Sequence, residues 1–229
     1  MRTALLIIAT GEKYHKYVQP LLLSARDYFV PHTAVVFSDV DDVGYGERPY
    51  MKIPHEEWPG PTLHRYHTFL KAKKYLNSFD NIYYLDADML IVAPIGDEIF
   101  SSGILAVQHP GYVNERGTPD RNPSSLSFMP HNAMNEYFCG GFNGGESAAF
   151  LSMAEELAWR IDADTNNGVL AIWNDESHLN RYLHENPPTT VLDPSYCYPE
   201  NASAHYTDKW KAAGLNVTPK ILALDKGKR

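Results

Sequence analysis

Asp86-Ala87-Asp88 is the place where side-chain type and spacing first suggest chemistry. The pair sits within Asn81-Ile82-Tyr83-Tyr84-Leu85-Asp86-Ala87-Asp88-Met89-Leu90-Ile91-Val92, an apolar and aromatic run that reads as one buried strand. In an extended backbone residues two apart point the same way, so both carboxylates are expected on one side of a strand end. Burial and mutual repulsion both oppose ionisation of such a pair, which makes a cation its natural partner. A divalent ion held by one or two carboxylates together with substrate phosphates is the expected arrangement. Two other Asp-x-Asp triplets have blander settings. Asp39-Val40-Asp41 leads into the turn chemistry of Asp42-Val43-Gly44-Tyr45-Gly46, and Asp162-Ala163-Asp164 closes a helical pattern ahead of the stop Thr165-Asn166-Asn167-Gly168.

Two further stretches carry candidate chemistry. In Tyr137-Phe138-Cys139-Gly140-Gly141-Phe142-Asn143-Gly144-Gly145 the paired glycines imply unusual backbone angles or close approach to a ligand. Neither a dinucleotide nor a P-loop spacing is present, so a sugar-shaped pocket fits better than a phosphate cradle. Trp173-Asn174-Asp175-Glu176-Ser177-His178 enters a helix with acids in its first turn. It also reads as an aromatic platform for a sugar face with a carboxylate beside a reacting carbon, where oxocarbenium charge would develop. His178 has two readings, a metal ligand beside the Asp pair or a hydrogen-bonding group within its own helix. Tyr14 is a candidate base-stacking residue or a surface tyrosine at a helix start. Arg65 is a candidate partner for phosphate or carboxylate, and the basic end, Lys220, Lys226, Lys228 and Arg229, is either a flap over a diphosphate or a solvated terminus.

The elements that must position these groups follow an α/β order. Thr3 to Thr10 is a nearly continuous apolar strand, Tyr17, Leu21, Ala25, Tyr28 and Phe29 recur at helical spacing, and Ala34 to Ser38 is a second strand. This order opens a doubly wound sheet, in which ligands sit at the carboxyl ends of strands. Residues 44 to 61 read as an irregular connection, Leu63 to Leu76 as a basic amphipathic helix, Ile104 to Gln108 as a strand and Glu146 to Ile161 as a helix. The 22 residues from His109 to Pro130 lack periodicity, and a loop of that length reads as an acceptor-binding or lid segment. The 229 residues, 44% hydrophobic, suit one α/β domain with an appended C-terminal part. A net charge of -8 argues against nucleic acid, and no run approaches the ~18 apolar residues that would span a membrane. Leu5-Leu6-Ile7-Ile8-Ala9 reads as a strand and not as a signal peptide, so a soluble cytoplasmic chain is expected, with Cys139 and Cys197 as reduced thiols.

Taken together and in this order, Asp86-Ala87-Asp88, His109-Pro110-Gly111-Tyr112, the Tyr137 to Gly145 stretch and Asp175-Glu176-Ser177-His178-Leu179-Asn180 resemble the motifs of glycosyltransferase family 6, from about Ala9 to the basic end. The resemblance implies a GT-A fold, a Rossmann-like mixed sheet with its nucleotide-sugar site at strand C-terminal ends, in a single domain. About residues 1 to 90 would form the nucleotide-binding half and 91 to 229 the acceptor half and tail. It implies retaining transfer of galactose or N-acetylgalactosamine from a UDP donor to the 3-hydroxyl of a galactoside acceptor. Tyr14 matches a tyrosine on the uracil and Arg65 a donor-side arginine. Asp86 and Asp88 match a pair that binds manganese or another divalent cation. His109, Thr118 and Trp173 match acceptor contacts, Cys139, Gly140 and Gly141 the segment that sorts the donor sugars, and Asp175 a donor-sugar partner. Glu176 matches the carboxylate on the reacting face, and Lys226 a basic residue that contacts the diphosphate. Asn174 stands where vertebrate members have histidine, and Arg121-Asn122-Pro123 lacks the family's paired arginines, departures that bear on the acceptor. The lack of a membrane anchor and stem suits a bacterial or viral form. From the residues alone, a haloacid-dehalogenase-like phosphohydrolase using Asp86 as nucleophile is the rival enzyme, and a sugar-binding protein is the rival without chemistry.

Overall fold

The first apolar run forms a strand whose alternation divides the core in two. Leu5 and Ile7 enter one buried cluster with Val18 and Leu21 of the following helix. Ala4 and Leu6 enter the other, with Phe69, Phe150 and Leu157. Both faces of the strand are thus covered, which is why its apolar run is continuous.

The computed structural model describes residues 1–41, 49–131, 133 and 136–227, so residues 44–48 of the expected 44 to 61 connection, the turn read at 42–46, and Lys228 and Arg229 lie outside the described residues. In chain order the elements are β1 (Thr3–Ala9), α1 (Glu12–Tyr28), β2 (Thr33–Ser38), β3 (Tyr50–Lys52), α2 (Gly60–Leu63), α3 (Arg65–Lys71), α4 (Lys73–Leu76), β4 (Asn81–Leu85), β5 (Met89–Ile91), β6 (Ile104–Gln108), β7 (Phe138–Glu146), α5 (Ser147–Asn166), α6 (Asn174–Glu185), β8 (Thr190–Leu192), β9 (Tyr198–Pro199), α7 (Ala204–Ala212) and β10 (Ile221–Ala223). Seven strands make one mixed sheet in the order β3-β2-β1-β4-β7-β6-β8. β1, β2, β3 and β4 run parallel, and β7 lies antiparallel between β4 and β6. The α/β fold with a mixed sheet flanked by helices is the one expected. No helix among the described residues is long and apolar enough to cross a membrane.

Four elements differ from their sequence readings. The run from Asn81 to Val92 is not one strand: β4 stops at Leu85, Asp86 to Asp88 form a turn closed by Met89 N donating to Asp86 O at 3.1 Å, and β5 belongs to a separate small sheet. The two carboxylates are therefore presented by a turn and not by strand alternation. The expected helix from Leu63 to Leu76 is three short pieces, interrupted at His64 and Ala72. α5 continues through the Asp162-Ala163-Asp164 triplet to Asn166. The glycine-rich stretch is largely a regular strand, with a positive φ only at Gly145.

The glycines of β7 serve strand contact more than ligand contact. A Cβ at Gly144 would lie 2.4 Å from Ile82 O and 2.8 Å from Tyr83 Cα, against backbone that cannot move aside. Gly140 and Gly141 alone face the cleft described below. The C-terminal part returns to the Asp turn, because β10 pairs antiparallel with β5 and Leu224 N donates to Asp88 O at 2.9 Å. Gly144→Ala is expected to destabilise the fold by ~1–3 kcal/mol through overpacking, measured by urea unfolding; unchanged stability would show that β4 and β7 can separate freely.

Candidate active site

The turn after β4, the N-terminal half of β7, the start of α3 and the first turn of α6 meet around the guanidinium of Arg65. This side chain is 7% exposed. Its Nη1 donates to Gly140 O at 2.9 Å and lies 3.2 Å from Asp175 Oδ2, and its Nη2 lies 3.3 Å from Asp86 Oδ1. The guanidinium plane sits 4.4 Å from the ring centroid of Tyr84, whose hydroxyl donates to Asp86 Oδ1 at 2.5 Å. The charge read in the sequence as one of a basic helix is thus buried between two carboxylates.

The cleft over this cluster measures about 750 Å³ and is lined by Tyr14, Arg65, Asp86, Asp88, Gly140, Gly141, Trp173, Asp175, Glu176 and Lys226 among others. Gly11 N and His15 Nε2 both meet Asp39 Oδ1, at 3.1 and 2.8 Å, which fixes the β1–α1 corner beside Tyr14. Asp39 is therefore a loop clamp, as its setting suggested. Glu176 Oε2 accepts from Gly140 N at 2.9 Å, so the carboxylate faces the backbone of β7. Trp173 is 48% exposed, and its backbone N–H donates to Ser177 Oγ at 3.0 Å.

Three expected site residues do not line this cleft. Cys139 is buried on the opposite face of β7, in one core cluster with Cys197. His109 is packed against Tyr112 and Tyr137, and its Nδ1 accepts from Gly111 N at 3.1 Å. Burial, and then Lys209, push its pKa down to about 4, so the ring is neutral at pH 7. Thr118 lies in the long loop, near the Tyr137 hydroxyl. His178 points away from the Asp pair, its Nε2 3.6 Å from Asp164 Oδ2, and the metal-ligand reading of that residue falls. Tyr84 and Tyr137 were not singled out in the sequence, since an aromatic in an apolar run carries no sign that its hydroxyl faces a carboxylate.

A family model for glycosyltransferase family 6 matches residues 2–212. The chain belongs to glycosyltransferase family 6. Among its relatives, an O-antigen biosynthesis glycosyltransferase, WbnI, of Escherichia coli is 29% identical over 229 residues, covering 96% of this chain and 92% of the relative. The human globoside alpha-1,3-N-acetylgalactosaminyltransferase 1 is 31% identical over 84% of this chain and 59% of its own length. The rat histo-blood group ABO system transferase 1 is 28% identical over 82% and 58%. The chain thus spans less than two thirds of these two mammalian relatives. The mixed sheet is the GT-A fold of family 6, and family membership sets the phosphohydrolase reading aside.

Electrostatically, this family 6 cleft is acidic and partly dry. Burial pushes Glu176 up to about 7; the Gly140 N–H, the Tyr137 hydroxyl and Arg65 pull the other way, and Asp175 adds to the rise. Burial pushes Asp175 up to about 6 against the pull of Arg65. Burial and then Asp86 raise Asp88, while Lys226 opposes them from 2.8 Å. A carboxyl whose folded pKa exceeds its unfolded value costs stability above the folded pKa, and the penalty fades as pH falls from about 7 into the ordinary glutamate range. Glu176→Gln is therefore expected to raise the unfolding free energy at pH 8 by up to ~3 kcal/mol, with the gain shrinking toward pH 5. Thermal unfolding of both proteins across that range checks this, and a variant less stable than the parent at pH 8 would contradict it.

Proposed function

We propose that this family 6 chain transfers N-acetylgalactosamine or galactose from a UDP donor to the 3-hydroxyl of a galactoside, with retention, forming an α-1,3 linkage. The observation that carries this reading is the convergence on one cleft of two acidic pairs, Asp86 with Asp88 and Asp175 with Glu176, tied together through Arg65. Relatives named as α-1,3-N-acetylgalactosaminyltransferase and ABO transferase support the sugar and the linkage. In this reading one domain binds the nucleotide with about its first 90 residues and the acceptor with the rest.

Each residue has a defined task. Tyr14 stacks on the uracil, and Lys226, held 5.5 Å from the Tyr14 ring centroid, closes over the diphosphate. Asp86 and Asp88 would hold a divalent cation, manganese in the family's pattern. The donor set fits, since both are hard carboxylates and the Lys226 ammonium stands in for a cation on Asp88 Oδ2 at 2.8 Å, and among the described residues no third His, Cys, Asp or Glu completes a site, which leaves coordination positions for phosphate oxygens. When bound, such an ion neutralises charge developing on the departing UDP. Arg65 keeps Asp86 and Asp175 apart and oriented. Asp175 binds the donor sugar, and Glu176, fixed by the Gly140 N–H, faces the anomeric carbon, where its carboxylate either attacks or stabilises same-face attack by the acceptor. Trp173, Thr118 and His109 serve the acceptor.

Donor choice is read at β7. An added Cβ at Gly140 would meet only ordinary contacts, 3.5 Å from Glu176 Oε2, whereas one at Gly141 would lie 2.4 Å from Met89 Cε and 3.0 Å from Asp86 Oδ2, so packing against Met89 requires glycine there. The space beside Gly140 suits an acetamido group. Released UDP measured with UDP-N-acetylgalactosamine and UDP-galactose, with manganese or excess EDTA, and with or without lactose or 2'-fucosyllactose, tests the proposal. Metal-dependent and acceptor-stimulated release, faster with the acetamido donor, is expected; no turnover of either donor overturns it, and full activity in EDTA overturns the metal role.

A further inference from the structure

The long segment from His109 to Pro130 contains no helix or strand, yet its middle is held by two buried carboxylates that lie outside the cleft. Asp120, 3% exposed, accepts from Asn122 N at 2.8 Å through Oδ1 and from Ser127 Oγ at 2.8 Å and Ile172 N at 3.3 Å through Oδ2. Asp164, also 3% exposed, accepts from Leu126 N at 2.9 and 3.0 Å and from Ser125 Oγ at 2.6 Å. Ser125 and Ser127 join the two groups through a 2.7 Å hydroxyl contact. Among the described residues neither carboxylate is ion-paired to Lys or Arg. The nearest titratable partner of Asp164 is His178, which burial keeps neutral at pH 7.

Two such charges are costly to bury, and amide and hydroxyl donors alone hold them. Asp164 also sits in the last turn of α5, where the helix dipole disfavours an anion. Asp164 does not improve its own helix, and Asp120 reaches beyond the two bonds it makes within its own loop. What they do fix is geometry between elements: Asp164 ties Ser125 and Leu126 of the loop to α5, and Asp120, two residues from Thr118, ties the loop to Ile172, the neighbour of Trp173.

Resting on the function proposed above, we infer that Asp120 and Asp164 are positioning residues for the acceptor: they set the distance between Thr118 on the loop and Trp173 at the cleft, and so determine acceptor affinity without touching substrate. An acceptor bound between two separately tethered segments is sensitive to ångström displacements of either.

Asp120→Asn and Asp164→Asn test this, because each keeps shape but replaces an accepting oxygen by a donating amide. The Michaelis constant for lactose is expected to rise about tenfold or more in each, with kcat changed much less. UDP affinity, measured calorimetrically with manganese, should stay at the parent value. Ser125→Ala, which removes one hydroxyl donor and leaves the Leu126 amide, should give a smaller rise in the same direction. An unchanged lactose Michaelis constant in both asparagine variants overturns the inference, and so does a loss of UDP affinity in step with it, which would mark a general structural role. If the parent chain transfers to no galactoside, the proposed function fails on its own. Hydrogen exchange then decides the positioning claim: Asp120→Asn should speed exchange in both 118–129 and 168–173, and a change confined to one segment refutes it.

Discussion

A buried guanidinium between two carboxylates is the constraint on which this structure depends. Removing Arg65 and Asp175 from water costs several kcal/mol for each ion, and their attraction for one another and for the partly exposed Asp86 offsets that only with good geometry and satisfied hydrogen bonds. Here the geometry is supplied by four separate elements: α3 brings the arginine, the turn after β4 brings Asp86, β7 offers the Gly140 carbonyl, and α6 brings Asp175. No pair of these elements is adjacent in sequence. The ion cluster therefore exists only when the sheet and both flanking helices are in register, and the cleft it supports is as well defined as the fold.

The same constraint explains the crowding at β7. Inserting an antiparallel strand between β4 and β6 brings its backbone to the Asp86 turn, where Asp86 N donates to Gly141 O at 2.9 Å. A side chain at 140 would fill the space between Arg65 and Glu176, and one at 141 would collide with Met89 beside Asp86, so glycine at both positions keeps the strand close to the turn and the cleft open. At the far end of the chain, β10 reaches β5 and carries Lys226 onto Asp88, so the C-terminal part joins the same charge balance instead of extending into solvent.

Much of this was legible in the sequence and some was not, for physical reasons. The opening strand, helix and strand showed their periods plainly, because β1 is covered on both faces and α1 on one. The Asp pair, Arg65, Trp173 and the Asp175-Glu176 pair were singled out, and the structure brings them together. The turn at Asp86 to Asp88 was hidden because apolar residues precede and follow it, so two strands of different sheets read as one. The breaks at His64 and Ala72 were hidden because helical residues surround them. Asp120 and Asp164 looked like loop and helix-end polarity; their burial depends on a loop and a helix about 40 residues apart folding together, which no local pattern encodes. Cys139 kept its motif position, yet strand alternation turned its thiol to the face away from the cleft.

Arg65→Met keeps volume but removes the charge that holds Asp86 and Asp175, and so tests whether the ion cluster organises the cleft. Isothermal titration of UDP with manganese is the measurement, run beside urea unfolding of the same protein. UDP affinity is expected to weaken by at least about tenfold and stability to fall by ~3–5 kcal/mol, since the buried Asp175 and the partly exposed Asp86 lose their common partner. A folded Arg65→Met protein that binds UDP and manganese like the parent would contradict this, because the cleft would then be organised without the ion cluster.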